Sequence, residues 1–387
     1  MAEHSKKNLF LIFHGRFPGE KAAALFTAKN AEAFAEEGFQ VTVLAPRRLG
    51  RSPETPEKYY GVKETFRTVY LPIIDLFATP LLKWFAFYTS YILFSVFSLF
   101  YLLAKAKRND ILYSNESLPL LLASFFFKNT FYEVHDFPER SFLNRTLFSR
   151  VKGIVATNRW KRDELTRLFG LAPDKVLYEP NAVDVEKFKN ADGNAIRRKL
   201  NISNETILIG YAGSLRTMEM EKGISVLLEA VAELPTKYHL LVVGGSVEDI
   251  SIYRNTTELW HIRDRVIFTG WVRHHAVQEY LAACSVLVAP FPNTPHYNLY
   301  MSPMKVFEYM ATGKPIVATK LRTIEEILDE RSAVLVRPDD ARALADGITK
   351  AVSGQIGLSA QAFSRVNEHT WQKRASRVTE FLLKKKV

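Results

Sequence analysis

Short apolar runs alternate with longer amphipathic stretches along the whole chain. In the first half the runs are 8–13 (NLFLIF), 41–46 (VTVLAP), 68–72 (TVYLP), 110–114 (DILYS), 130–136 (TFYEVHD), 153–158 (GIVATN) and 175–181 (KVLYEPN). Near-continuous apolar runs of this length fit strands covered on both faces, as in a parallel sheet. Between the first two lies an Ala-rich helical stretch, 22–37, stopped by Gly38; glycine just past a helix end is the expected stop signal. A polar stretch, 187–205, reads as a connection between domains. The pattern then restarts with 207–213 (ILIGYAG), 239–245 (HLLVVGG), 265–272 (RVIFTGWV), 285–291 (SVLVAPF), 314–319 (KPIVAT) and 332–338 (SAVLVRP). Helices are expected at 224–234, 276–283, 304–310 and 340–352, and a basic amphipathic helix at 371–387. The fold class is therefore α/β, with two Rossmann-like domains in series, 1–186 and 187–370, followed by the helix 371–387. Ligands of such sheets bind beyond the carboxyl ends of the strands, so a cleft between the two domains is the expected site.

Length and composition agree with this reading. A chain of 387 residues holds two domains at roughly 100–200 residues each. Hydrophobic residues make up 47% and charged residues 24%, a globular composition. The lone cysteine, Cys284, excludes an internal disulfide and disfavours a thiolate metal site; it is expected as a small core residue. The net charge of +11 suits a membrane surface or phosphorylated small molecules, and the absence of a zinc-finger or RNP-type pattern argues against nucleic acid. The opening MAEHSKKNLFLIF is too short in its apolar run for a signal peptide and reads as a first strand, so a cytoplasmic location is expected.

One segment complicates that picture. Residues 84–104 (WFAFYTSYILFSVFSLFYLLA) carry no charge between Lys83 and Lys105, and ~20 apolar residues suffice to span a bilayer. Thr89, Ser90, Ser95 and Ser98 dilute the run, and Trp84, Tyr88, Tyr91 and Tyr101 mark it as interfacial. A helix half buried in its domain and half in the lipid interface is the favoured reading, with a wholly buried core helix and a true span as alternatives.

Four constellations carry candidate chemistry. In SPMKVFEYMATGKP, Ser302 reads as an N-cap, Pro303 as the first helical residue and Gly313 as the stop. Met304, Phe307, Glu308 and Ala311 then share one face, which places the Glu308 carboxylate on an apolar side; it needs strong donors there, either a ribose diol or a structural partner such as Lys305. In the second, Gly213-Ser214-Leu215-Arg216 leads to Lys222-Gly223 ahead of a helix. Cations are unfavourable at a helix N-terminus unless an anion is bound, so either Lys222, with Arg216, holds a diphosphate or Lys222 is a solvated lysine balanced by Glu219 and Glu221. In the third, His135 follows a strand, as a ligand-facing or a structural histidine. In the fourth, the turn His14–Lys21 after the first strand has glycines only at Gly15 and Gly19, which excludes a dinucleotide fingerprint and a P-loop. No HExxH or DxD-type carboxylate pair indicates a metal, and no GxSxG nucleophile elbow is present.

SPMKVFEYMATGKPIVAT resembles the most diagnostic signature of the retaining GT-B-fold glycosyltransferases, the glycosyltransferase family 4 group. YAGSL…EKGISVLLEAV, LLVVGG, VIFTGWV…VQEYLAACSVLVAP and TWQKRA match the same family in order, and GEKAAALFTAKNAEAFAEEGFQVTVLAP with YEVHDFP resembles its acceptor domain. The resemblance implies two Rossmann-like domains facing across a cleft, with the C-terminal helix packing back toward the N-terminal domain. It implies retaining, metal-independent, α-linked hexosyl transfer from a nucleoside-diphosphate sugar as co-substrate, with no cofactor. Glu308 would bind the ribose, Lys222 with Arg216 the leaving diphosphate, and the backbone of Ser302, Pro303, Met304 and Lys305 the donor's sugar and phosphates. Gly15, Ser214 and Val272 would complete the donor site, and His135 the reacting centre. Two departures stand out: Tyr300 replaces a carboxylate eight positions before Glu308, and Ser214 replaces an arginine often found after the first glycine. The aromatic segment and the charge point to a lipid-linked or envelope-polysaccharide acceptor and a peripheral position at the inner face of the cell membrane. A nucleotide-sugar 2-epimerase, a non-catalytic membrane scaffold and a Rossmann-type oxidoreductase are the competing readings; the first-turn glycines disfavour the last.

Overall fold

The computed structural model describes residues 7–48, 52–73, 83–217, 219–354 and 356–384. The chain start 1–6, residues 385–387 of the expected C-terminal helix, and the side chain of Trp84 lie outside the described residues.

The chain divides into two compact units: residues up to Pro180 joined by the segment from Trp371, and Asn181–Thr370. In the first, β1 (Asn8–Ile12), β2 (Gln40–Pro46), β3 (Arg67–Leu71), β4 (Ile111–Ser114), β5 (Thr130–Val134), β6 (Gly153–Ala156) and β7 (Val176–Tyr178) form one parallel sheet in the order β3-β2-β1-β4-β5-β6-β7. In the second, β8 (Ile207–Ala212), β11 (Tyr238–Val243), β12 (Val266–Phe268), β13 (Val286–Ala289), β14 (Ile316–Thr319) and β15 (Val334–Val336) form another, in the order β12-β11-β8-β13-β14-β15. A small antiparallel hairpin, β9 (Arg216–Thr217) and β10 (Met220–Glu221), stands after β8. Both large sheets run outward in both directions from their first strand, which is the doubly wound arrangement, and each reverses order beside it, between β1 and β4 and between β8 and β13.

The apolar runs become strands because both faces are covered. β4 and β13 are buried at every position. Several end sooner than their apolar runs. β7 stops at Tyr178 before Pro180, β13 stops at Ala289 before Pro290, and β14 begins only after Pro315, since proline has no N–H for the ladder.

The domain boundary lies earlier than expected. Residues 187–205 are no free connection. They follow and include the short helices Val185–Lys189 and Asn194–Lys199, which bury Val185, Phe188 and Ile196 in the second unit. Gly193 sits against the backbone of Ala283, where a Cβ would meet Ala283 N at 2.2 Å. The apolar residues hidden among the charges decide this, and the crossover falls instead at Pro180–Asn181. The helix Trp371–Leu383 packs in the first unit, as expected. Its Arg374 is fully buried and donates to Asn30 Oδ1 at 2.6 Å, to Pro180 O at 3.1 Å and to Glu133 Oε1.

The aromatic segment is a helix, Lys83–Lys105, and among the described residues it is the one helix long and apolar enough to cross a membrane. Its faces are inverted. Ala86, Ser90, Phe94, Ser95, Ser98 and Leu102 are buried, while Phe87, Tyr88, Ile92, Phe97, Phe100 and Leu103 are exposed. Small hydroxyl residues let this helix lie close to the domain, and the large apolar side chains are left outside.

Candidate functional site

In the second unit the strand order reverses between β8 and β13, and two lysines flank the turn that leaves β8. Gly213 has φ 127°, a conformation glycine adopts freely, and Tyr211 Oη donates to Ser214 O at 2.8 Å, fixing the turn. Lys222 Nζ donates to Ser214 Oγ at 2.7 Å, and burial lowers the lysine's pKa to about 8. Gly223 has φ 81°, and a Cβ there would lie 1.7 Å from Pro290 O. Only glycine therefore lets Lys222 approach the end of β13 so closely.

Lys305 enters the same turn from the helix Met304–Thr312. Its Nζ lies 3.6 Å from the centre of the Tyr211 ring and 5.1 Å from that of Phe291. A Cβ on Gly213 would be 3.3 Å from it. The nitrogen is buried without a hydrogen-bond partner among the described residues. Burial first, and the Lys222 charge second, hold its pKa well below the ordinary lysine range, with Glu308 opposing.

The same helix carries Glu308, but burial is not confined to the face expected from its spacing: every residue from Val306 to Ala311 is buried, while Met304 is half-buried. The partner of Glu308 is not Lys305. His274 Nε2 lies 2.8 Å from Glu308 Oε1. His274 opens the helix His274–Ala282 after the loop leaving β12, a strand-end position that was the available clue to it. Val272, in that loop, packs against the core.

Ser302 does not cap the helix. Pro303 occupies the N-cap and the helix starts at Met304, because the Ser302 hydroxyl and carbonyl are taken by Asn181, whose N and Nδ2 donate to Ser302 Oγ and O at 3.4 and 2.5 Å. Nor is the N-terminus of the helix Ile224–Glu233 vacant. Glu221 Oε1 accepts from Ser225 N at 3.0 Å and Oε2 from Ser225 Oγ at 2.6 Å, as an acidic cap suits that end. Glu221 therefore does not balance Lys222. Arg216 turns to the hairpin tip and donates to Glu219 O at 2.8 Å. Cys284 is buried in the core, and burial pushes its thiol up to about 12.

Gly15 and His135 lie in the first unit, beyond the ends of β1 and β5. His135 Nε2 is buried, 3.7 Å from Glu133 Oε1, and its ring meets Phe26 edge-on at 4.7 Å. Burial raises the Glu133 carboxyl, but Arg374, His135 and Tyr113 more than offset this and hold it below the usual range. Gly15 adjoins a cluster that the sequence did not reveal. His14 N donates to Glu116 Oε1 at 3.0 Å, Arg48 donates to His14 O at 3.1 Å, and His14 Nε2 lies 3.1 Å from Ser90 Oγ. Burial raises Glu116 to about 7, and burial with the Arg48 charge lowers His14 to about 3. These residues come from four separate segments, so no local motif announces them. Among the described residues no group of three or more His, Cys, Asp or Glu side chains is placed to hold a metal ion.

Residues 23–187 match the family described as Glycosyltransferase Family 4, and residues 206–353 the family described as Glycosyl transferases group 1. The D-inositol 3-phosphate glycosyltransferase of Xylanimonas cellulosilytica is 30% identical over 229 residues, 55% of this chain and 52% of that protein. The putative teichuronic acid biosynthesis glycosyltransferase TuaC of Bacillus subtilis is 27% identical over 52% of this chain and 47% of its own length. The chain thus spans about half the length of the curated relatives it matches. Sucrose-phosphate synthase from Thermosynechococcus elongatus shares the fold, with a TM-score of 0.77 at 19% identity over 97% of this chain and 98% of that one. Anabaena HepE in complex with UDP and glucose does so with a TM-score of 0.74 at 16% identity over 97% and 99%. With both units doubly wound and the two family matches together spanning most of the sequence, the chain belongs to the glycosyltransferase family 4 group of the GT-B fold.

Proposed function

We infer that the protein transfers a hexosyl group, with retention of configuration, from a nucleoside-diphosphate sugar to the hydroxyl of a lipid-linked or envelope-polysaccharide acceptor, giving an α-linked product without a metal. The observation that carries this reading is the Glu308 carboxylate, buried on an apolar helix face at the carboxyl edge of the second sheet and oriented through one oxygen by His274. A ribose diol can donate to such a carboxylate. At the turn leaving β8, Lys222 offers positive charge where diphosphate charge grows as the sugar leaves, the stabilisation that a phosphate leaving group needs. Family 4 membership supports a nucleotide-sugar donor, as do the UDP, UDP–glucose and UDP-with-glucose complexes of the HepE fold relative. The teichuronic acid relatives support an envelope acceptor. The outward apolar face of the Lys83–Lys105 helix and the +11 charge support a peripheral position at the cytoplasmic face of the membrane, with the acceptor delivered from the lipid.

The test is a calorimetric and thermal-shift panel of nucleoside diphosphates and nucleotide-sugars with EDTA present, on wild type and Glu308→Ala. The expected outcome is selective stabilisation by one nucleotide-sugar, with its affinity reduced by about 1–3 kcal/mol in the variant, the scale for hydrogen bonds to a charged group. No binding by any member of the panel overturns the reading.

A further inference from the structure

We propose that the side chain of Lys305 is a diphosphate-binding cation that takes the place of the arginine missing after Gly213. This rests on the donor-site reading above. Three features of the structure carry it. First, position: Lys305 Nζ stands against Gly213, at the carboxyl end of β8 and beside Phe291 just past β13, which is the switch point where doubly wound sheets bind ligands. Second, Lys305 Nζ is buried with no hydrogen-bond partner among the described residues, although an ammonium carries three donors. The rings of Tyr211 and Phe291 hold it by their faces, a contact that orients a cation without consuming its donors. Third, convergence: Lys222 reaches the other side of the same turn through Ser214 Oγ, so two lysines flank Gly213–Ser214. The Lys222 charge disfavours a charge on Lys305, a repulsion that a bound anion would relieve. Ser214, too short to bring charge to that turn itself, is matched by a lysine delivered from the helix that also carries Glu308. One nine-residue helix thereby offers the ribose carboxylate and a phosphate cation one turn apart.

This assignment differs from a backbone role for Lys305, because it predicts a selective loss. The experiment is equilibrium binding of inorganic pyrophosphate, UDP, GDP, uridine and guanosine to wild type, Lys305→Met and Glu308→Ala at pH 7; methionine retains the length and packing of the stem. The expected result is a fall of roughly ten- to a hundredfold in pyrophosphate and nucleoside-diphosphate affinity in Lys305→Met, with nucleoside affinity unchanged and the reverse selectivity in Glu308→Ala. Diphosphate affinity within about twofold of wild type overturns the inference. So does an equal loss for nucleosides and diphosphates together, which would make Lys305 a packing residue of the aromatic box. If wild type binds neither pyrophosphate nor a nucleoside diphosphate, the donor-site reading falls and takes this inference with it. If wild type binds them and Glu308→Ala behaves as expected while Lys305→Met changes nothing, only this inference falls.

Discussion

Arg374 and Lys305 are both basic side chains whose charged groups are buried, one in each unit, and the protein treats them in opposite ways. Arg374 is satisfied on every side that the structure describes. Its guanidinium meets Glu133, Asn30 and the Pro180 carbonyl, and Tyr113 Oη completes the carboxylate from the far side at 2.6 Å. Lys305 has aromatic faces and no acceptor. A fully paired buried charge fixes one arrangement, here the return of the C-terminal helix to the first unit. A buried amine without an acceptor costs folding free energy in either protonation state, and the structure retains it where an anion is expected. The difference separates a group that holds the fold from a group held ready for a ligand.

The largest effect expected from breaking this contrast is at the paired site. Arg374→Met strands Glu133 in the core and should lower unfolding free energy by about 3–5 kcal/mol, the scale for removing one partner of a buried ion pair, as read by urea denaturation at pH 7. The sign with pH follows from Glu133. Its pKa is depressed in the folded state from an ordinary value of 4.5, so its contribution is present above that value and fades as pH falls through the lower folded one. The variant should lose that part of the acid sensitivity. Next is the donor site. Lys222 has a pKa of about 8 in the free protein, so its contribution to nucleoside-diphosphate affinity should be lost as pH rises through that value. The limit is about tenfold per pH unit once the lysine must gain a proton to bind. Isothermal titration across pH 6–10 checks this, and a flat profile would remove Lys222 from the diphosphate contact. A smaller effect of opposite sign is expected at the unpaired cation. Lys305→Met should leave the ligand-free protein more stable by about 1 kcal/mol, since a donor without an acceptor is replaced by an apolar group. Equal or lower stability would mean that the aromatic box already compensates the charge.

The smallest effect on folding is expected on the outer face of the Lys83–Lys105 helix. Ile92→Ser or Phe100→Ser should change stability by no more than about 0.5 kcal/mol, because both side chains are exposed, Phe100 by 63%. The same changes should reduce co-sedimentation with anionic vesicles at low salt. Ser98→Leu, on the buried face of that helix, should instead unfold the packing without adding affinity for lipid. If both faces behave alike, the inversion of this helix has no bearing on membrane contact.

Much of this was legible in the chain. The apolar runs marked the strands of both large sheets because a strand covered on both faces must be apolar throughout, a demand that survives any arrangement of its neighbours. The spacing of Met304, Phe307, Glu308 and Ala311 placed the carboxylate beside apolar neighbours because helical periodicity is local, but only packing buries the whole run 306–311 and leaves Met304 half-buried. The hairpin β9–β10 escaped notice, since two residues a side make no pattern, and the 187–205 segment misled because its many charges masked the few side chains it buries.

The sequence by itself therefore determined the two doubly wound sheets, the glycine at the Lys222 turn and the burial of Glu308, each a consequence of near neighbours along the chain. Only the tertiary structure decided the partners. It gave Glu308 to His274 and not to Lys305, brought Glu221 to Ser225 as a cap, joined Arg374 to Glu133 across 241 positions, gathered His14, Arg48, Ser90 and Glu116 from four segments, and turned the serines of the aromatic helix inward. Pairings of this kind depend on which ends of which strands meet, and nothing in local periodicity records that.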